Sequence, residues 1–503
     1  MASSSATTVD PQDNGDRTFG STGLDAHSVL ALAYLAIPNF IFVFGWFKLP
    51  YAILLAALAS FMLSRVFFDS SVRWRCHSSI AVLALLLAAS MGWSALGGGS
   101  HFVYANPEWD VRDAVLGDLV RHQWPVAYHF TETGDWILRS AFGYFLAPAL
   151  LGKLFGAAIV PVAVFVWTAV GVYLFLALLP LSQRFGWGLG GGIVIVVFFS
   201  GMDFVGQFIA TESWPEFPAR MEWWVPLSYP SLTNQLFWAP NHCLPLWIGT
   251  ALVIRHIDND RLALLALVMI PLTLIWTPFA ALGLLPLVLL GVIRRARAKH
   301  DVHWSWTGAI CALAFSYPIL AFLTVDISGI PVGSVAAVAA PGQSTARHEI
   351  SLHSYALFVA CEFALLGLVL APNARRDNEC FWLALIVLFA LPLFRFGPNN
   401  DSLLRLSTPY LIVLLTEFLY TLFDDRNPRS SALRWIAMGF IVIGAHTAFN
   451  EFWRAATFLH RAPNYDVELT ALQDGRPAAH YMGRLSASQT LSRMLKSSPS
   501  NNP

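Results

Sequence analysis

Residues 78–113 read SSIAVLALLLAASMGWSALGGGSHFVYANPEWDVRD. Residues 78–98 carry no charged side chain and are long enough to cross a bilayer, which takes roughly 17–25 apolar residues. Residues 99–113 follow at once and bring Glu108, Asp110, Arg112 and Asp113, with Asp118 just beyond. A lipid-soluble chain keeps acids this close together where they face water and act there, or where they belong to an ordinary solvated loop. The spacing leaves both readings open.

Composition extends the first segment to the whole chain. Hydrophobic residues make up 56% of it and charged residues 12%. A soluble domain carries about 25% charged residues, so the fold class is all-α, a polytopic integral membrane protein. Lys+Arg and Asp+Glu balance at 31 each. Net charge therefore points to no nucleic-acid partner, and the distribution of charge is the informative quantity. Of the five cysteines, Cys311, Cys361 and Cys380 lie in apolar runs and Cys76 sits beside a basic cluster. Cys243 alone is expected to face outward, so no disulfide framework is expected.

Apolar runs of spanning length recur near 27–47, 50–68, 78–98, 157–179, 188–203, 241–256, 303–325, 352–371, 380–396, 403–423 and 433–450. The stretch 261–293 is too long for one span and short for two, and Trp276-Thr277-Pro278 breaks it into a tight pair. The expected total is about thirteen crossings. Residues 1–26 are polar, without a cleavable signal, and are expected to be disordered. Residues 27–450 form the transmembrane domain, and 451–503 a tail whose last ~25 residues read as disordered.

Basic residues suggest an orientation. Arg65, Arg73 and Arg75 share one loop with few acids, and Arg184, Arg255 and Arg261 fit the same side. Arg294, Arg295, Arg297 and Lys299, then Arg375 and Arg376, then Arg426, Arg429 and Arg434 complete the set. The positive-inside rule places these in the cytoplasm with the N-terminus. Loops 99–140, 203–240 and 326–351 and the C-terminal tail then face outward. Residues 110–122 have a helical apolar stripe of Val111, Val115, Leu116, Leu119 and Val120. Residues 136–156 read as an amphipathic element lying in the interface, with Arg139 and Lys153 among Trp136, Phe142, Tyr144 and Phe145.

Four constellations could carry chemistry. Asp110 and Asp113 sit i,i+3 near a helix start, where the dipole favours the anion. That suits a general base for a hydroxyl or a ligand for a divalent metal, and it also suits plain helix capping. The second outward loop holds Glu222-Trp223-Trp224 and the run Asn234 to His242, with Trp238 inside it. Trp beside acids and amides grips sugars, although Trp also populates every membrane interface. His242 opens an inward helix, a position that binds phosphate. Arg395 and Arg405 lie on the outward side against the general bias, which makes them candidate anion clamps or partners of Asp401. Glu362 and Glu417 fall within spans, where carboxylates mark proton or ion pathways.

These residues resemble the polytopic bacterial membrane proteins of the GT-C glycosyltransferase type. The similarity lies in Pro107-Glu108-Trp109-Asp110 followed by Leu116-Gly117-Asp118-Leu119 and Trp124-Pro125. It continues in Phe198 to Asp203, in Phe237-Trp238-Ala239-Pro240-Asn241-His242, and in Asn400-Asp401 with Arg405, Ser407 and Pro409. The resemblance implies an inner-membrane enzyme that moves a sugar from a polyprenyl-phosphate donor to an outward glycan or lipid acceptor. It implies an essential acid at Asp110. The family often has a His soon after that acid, whereas Asp113 stands nearby here, so metal use is left open. On this expectation Asp110 and Asp113 are catalytic, and Glu222, Trp223, Trp238, His242, Arg395 and Arg405 bind substrate. A flippase or transporter for a lipid-linked glycan, or a non-catalytic protein of envelope polysaccharide assembly, are the alternative expectations.

Overall fold

Apolar segments in a lipid phase must satisfy their backbone polar groups internally, and the helix does so within one segment. The structure, a computed structural model, describes residues 24–68, 78–182, 186–218, 221–327 apart from 301 and 303, 332–334, 351–396 apart from 373 and 375–377, 400–423, and 431–497 apart from 474 and 479. In chain order the helices begin with α1 (Ala26–Trp46), α2 (Leu49–Phe67), α3 (Ile80–Ala95), α4 (Glu108–Arg121), α5 (Gly143–Phe155) and α6 (Val160–Leu178). They continue with α7 (Trp187–Phe198), α8 (Asp203–Thr211), α9 (Leu232–Trp238), α10 (Pro240–His256), α11 (Leu262–Thr273), α12 (Pro278–Arg297) and α13 (Trp306–Thr324). The last are α14 (Leu352–Leu370), α15 (Glu379–Ala390), α16 (Asp401–Leu406), α17 (Thr408–Phe423), α18 (Ser431–Thr457) and α19 (Gln489–Met494). Short strands complete the fold: β1 (Ala127–Phe130), β2 (Gly134–Leu138), β3 (Val332–Ser334), β4 (Phe394–Phe396) and β5 (Met482–Arg484).

Nine helical segments among the described residues are long and apolar enough to cross a membrane. Their outer faces carry large apolar side chains in the open, among them Ile53, Leu54 and Phe61 on α2 and Ile310, Leu313 and Tyr317 on α13. Apolar surface this extensive needs a lipid phase, so the protein is a helical membrane protein. The expected thirteen crossings are not reached by length: α3, α5, α11 and residues 379–393 are apolar but shorter. The broken stretch is as expected, with α11 and α12 separated at Leu274–Thr277 and Pro278 opening the second helix.

Helix α10 is the axis of the bundle. It is buried almost end to end, from Cys243 through Val253, with α6, α12 and α17 against it. Close packing and hydrogen bonds, rather than the hydrophobic effect, hold helices together in lipid. Asn39 shows the pattern: it is fully buried, and its amide donates to Leu35 O at 2.9 Å and across to Leu272 O at 2.7 Å. Trp276 Nε1 donates to the same Leu35 carbonyl at 3.0 Å, and the ring stacks on Trp167.

The two ends of α10 mark the two ends of the molecule. At its C-terminal end, Arg255 Nε donates to Asp25 Oδ2 at 2.6 Å, and Asp25 in turn caps α1 through Ser28 N at 2.8 Å. At its N-terminal end, about 25 Å away at 1.5 Å per residue, lie α4, α9, α16 and the C-terminal segment from residue 458. Asp25 therefore belongs to an ordered cap, which corrects the expectation of disorder through residue 26; residues 1–23 lie outside the described set.

Two further expectations are corrected here. Residues 136–156 are not one interfacial helix. Trp136 to Leu138 belong to β2, and α5 starts only at Gly143, where a Cβ would meet Ile275 O at 2.9 Å. Helix α5 buries Tyr144, Phe145, Leu146 and Ala149 against the bundle, so its apolar face meets protein. The last ~25 residues, expected to be disordered, are folded up to residue 497. Strand β5 pairs with β2 in the register Trp136↔Arg484 and Leu138↔Met482, and α19 follows.

The C-terminal segment is held on α4 by buried acids. Asp118, fully buried, accepts from Tyr128 Oη at 2.7 Å, Leu469 N at 3.1 Å and Arg121 at 2.8 Å. Gly117 lets the segment pass, since a Cβ there would collide with Tyr465 O. Asp118→Ala removes the shared acceptor, and each buried donor left alone costs about 1–3 kcal/mol. Limited proteolysis should then cut between residues 460 and 480 at least ~10-fold faster than in the parent protein, with the membrane helices intact.

Candidate functional site

The cleft at the N-terminal end of α10 is assembled from two stretches far apart in sequence, residues 222–246 and 404–408. Ser231 caps α9 by accepting from Asn234 N at 3.1 Å. Pro240 then opens α10, where its missing N–H costs nothing, and places His242 in the first turn. Helix α16 brings Arg405 and the start of α17 brings Thr408. Loop 221–231 supplies Glu222, Trp223, Ser228 and Pro230. The cleft between them holds about 500 Å³ of empty space, counted to its open mouth.

Of the residues expected to bind substrate, Glu222, Trp223, Trp238, His242 and Arg405 all line this cleft. Arg395 belongs to β4, paired with Gly333 of β3; its side chain lies outside the described set. Glu222 is almost fully buried, and its Oε1 accepts from Ser231 N at 2.9 Å while Asn234 Nδ2 donates to Oε2. Burial pushes the Glu222 carboxyl well above the ordinary carboxylate range, and the nearby Asp203 adds to the shift. Gln235 spans the floor: its Oε1 accepts from Trp247 Nε1 at 2.9 Å and from Thr408 Oγ1 at 3.1 Å.

Arg405 and a neutral His242 share the cleft, burial and the nearby Arg405 disfavouring the imidazolium. Arg405 pairs with Asp401, lies over the Phe279 ring at 5.6 Å, and keeps its Nε without an acceptor. His242 Nδ1 is likewise buried without a partner. Arg112 of α4, paired with Glu108 at 3.5 Å, lies within electrostatic range of both Arg405 and His242. The sequence alone does not single out Arg112, because an Arg four residues after Glu108 looks like a routine helix-surface pair. On the aromatic wall, Trp238 Nε1 donates to Glu451 Oε2 at 3.1 Å, and the Arg454 guanidinium lies 5.5 Å from the Trp238 ring centre.

The two acids expected to be catalytic lie elsewhere. Asp110 is partly exposed and pairs with Arg461 at 3.1 Å; it does not line the cleft. Asp113, buried, accepts from His101 Nε2 at 3.0 Å and from Asn464 N at 3.1 Å. The i,i+3 spacing does put them side by side on α4, but that face is turned to the C-terminal segment. They tie it down, as Asp118 does one turn further on. Among the described residues no group of three or more His, Cys, Asp or Glu side chains could hold a metal ion.

No family model, no curated protein and no solved structure matches the chain.

His101 gives the tie a pH dependence. Burial disfavours its imidazolium, but the hydrogen bond and charge of Asp113 outweigh that and raise its pKa above the usual value. A raised folded-state pKa stabilises the folded form fully below the unfolded value near 6.5, and the gain is lost as pH rises through the folded value. Cleavage of the C-terminal segment by a protease active across the range should therefore accelerate from about pH 6 to about pH 9. His101→Gln should flatten that profile, and an unchanged slope in the variant would remove His101 from the tie.

Proposed function

We propose that the cleft binds a lipid-linked sugar phosphate and that the protein is a membrane glycosyltransferase using a polyprenyl-phosphate donor. The observation that carries this reading is the juxtaposition of Arg405 and His242 with Trp223, Trp238 and Glu222 around one cleft, with Arg112 within electrostatic range of the first two. An anion, apolar ring faces and a hydroxyl acceptor are the three things such walls suit. Arg405, with Arg112 behind it, would neutralise the lipid phosphate on which charge develops as the sugar departs, and His242 would hydrogen-bond it. Arg405 would share its fork between Asp401 and that phosphate, a geometry Lys does not reproduce. Glu222 would take the proton of a hydroxyl on the glycan or lipid acceptor, since a carboxylate in a desolvated site is a stronger base than one in water.

Thirteen crossings, a cytoplasmic N-terminus and an outward cleft in a bacterial inner membrane complete the proposal. Single cysteines tested in intact cells separate the two faces: one at Arg295 should react only from the cytoplasm and one at Glu216 only from outside. Labelling of position 295 from outside would reverse the orientation.

Variant kinetics separate this site from the one that the family resemblance favours. Glu222→Gln should lower sugar transfer from a polyprenyl-phosphate donor at least ~100-fold, the size of a general-base contribution, while donor binding is retained. Arg405→Lys should weaken binding of polyprenyl phosphate about 10-fold. Asp110→Asn, which loses only a surface ion pair worth about 0–1 kcal/mol, should stay within about 3-fold of the parent. A dead Asp110→Asn beside an active Glu222→Gln would overturn the assignment of the base.

A further inference from the structure

Glu362 is the least satisfied carboxyl group in the described interior. It lies in α14, within a turn of π-helix over Ala360–Ala364, and is 4% exposed. Neither of its carboxyl oxygens has a hydrogen-bond donor. It stands on the wall of two small cavities, which share Phe199, Ser200, Gly201 and Leu366. An ionised carboxylate in such a place lacks the solvation it would have in water, at a cost of several kcal/mol.

The group that faces it is a second acid. Asp203 begins α8 and is fully enclosed, and its carboxylate takes three donors: Trp224 Nε1 at 3.2 Å, Ser200 Oγ at 3.2 Å and Thr447 Oγ1 at 2.9 Å. The Asp203 and Glu362 carboxyls are close enough to interact directly. Met202 N donates to Cys361 O at 2.9 Å and fixes the two segments together. Gly201 permits the approach, because a Cβ there would collide with Glu362 Oε2. Among the described residues, the other ionisable groups with the largest effect on Glu362 are Glu222 and Cys361, and Glu362 in turn acts on Tyr229; none of them is a cation. The Tyr229 hydroxyl is already committed to Leu388 O at 2.5 Å.

Two carboxyl groups hydrogen-bond to one another only when a proton lies between them. Three donors favour the anion at Asp203 over Glu362, which has none, so the proton resides on Glu362 and is donated to Asp203. We propose that Asp203 and Glu362 are a proton-binding site inside the helical bundle, holding one proton between the two carboxyls. Pro230 forms part of the wall of one Glu362 cavity and of the main cleft. The proton site therefore neighbours the ligand site across one residue. The titration belongs to the pair, since coupled acids share their apparent constants. This site does not depend on the cleft being a transferase site, and its test needs no substrate.

Infrared difference spectra of the full chain in detergent micelles, titrated from about pH 6 to about pH 10, read the site directly. The protonated-carboxyl C=O stretch should be present at the acid end and fade toward the alkaline end. It should be lost in Glu362→Gln, whose amide can still donate to Asp203 and keep the fold. Asp203→Asn should move the midpoint down by about one pH unit or more. N,N′-dicyclohexylcarbodiimide gives a second measure. The carboxyl proton passes to a carbodiimide nitrogen, the carboxylate oxygen adds to the central carbon, and the adduct rearranges to a stable N-acylurea. Peptide mapping should locate that adduct at Glu362 at about pH 6, reduced about 10-fold at about pH 9. The proposal is overturned by a wild-type spectrum without the Glu362 band at the acid end. A band indifferent to Asp203→Asn overturns it as well, because Glu362 would then be an isolated neutral acid. Suppression of the band by sodium ions at fixed pH would make this a cation site and overturn it too.

Discussion

A polar group between lipid-embedded helices must find its partner within the chain, and the whole architecture follows from that constraint. Asn39 reaches across to Leu272, Trp276 to Leu35, and Tyr410 to Gly283. Each such bond crosses from one helix to another, so satisfying the side chain also fixes the helix pair. The acids obey the same rule. Asp118 has three donors, Asp203 has three, and Glu222 has Ser231 and Asn234. Glu362 departs from it, and the departure is what gives it chemistry.

The fold class is legible in the sequence because it rests on additive quantities. Apolar content and run length survive any rearrangement of side chains, so the helices near 27–47, 50–68, 157–179 and 403–423 fall where hydropathy places them. Their number is less legible, since glycines, prolines and buried aromatic residues shorten α3, α5 and α11 in ways that hydropathy does not register. The C-terminal segment misleads for a different reason. The serine-rich composition of its last ~25 residues resembles disorder, but Met482 to Arg484 pair with β2, more than 300 positions away in sequence.

The site divides along the same line. Glu222, Trp223, Trp238, His242 and Arg405 sit together because loop 221–231 and two helix starts meet at one end of α10. Their residue types suggest a ligand without any geometry. Asp110 and Asp113 have the right types and spacing for a catalytic pair. Helix periodicity shows that they share a face and says nothing about what that face meets. Arg112 and Asp203 are hidden by commonplace local patterns, an i,i+4 pair and a helix-start acid, and only packing shows what they serve.

The embrace of α4 by the C-terminal segment also sets an order of assembly. Three acids of the first large loop wait for Arg461, Asn464 and Leu469, each 351 positions further along the chain. At an elongation rate of about 5–20 residues per second, that interval is roughly 20–70 s. Through it the loop lacks the lasting partners of Asp113 and Asp118, and the bundle is inserted first. Contacts of such long range form late. The polar end of this protein is therefore finished last, and a nascent chain stalled before residue 460 would present an inserted bundle with an unclosed face to quality-control proteases.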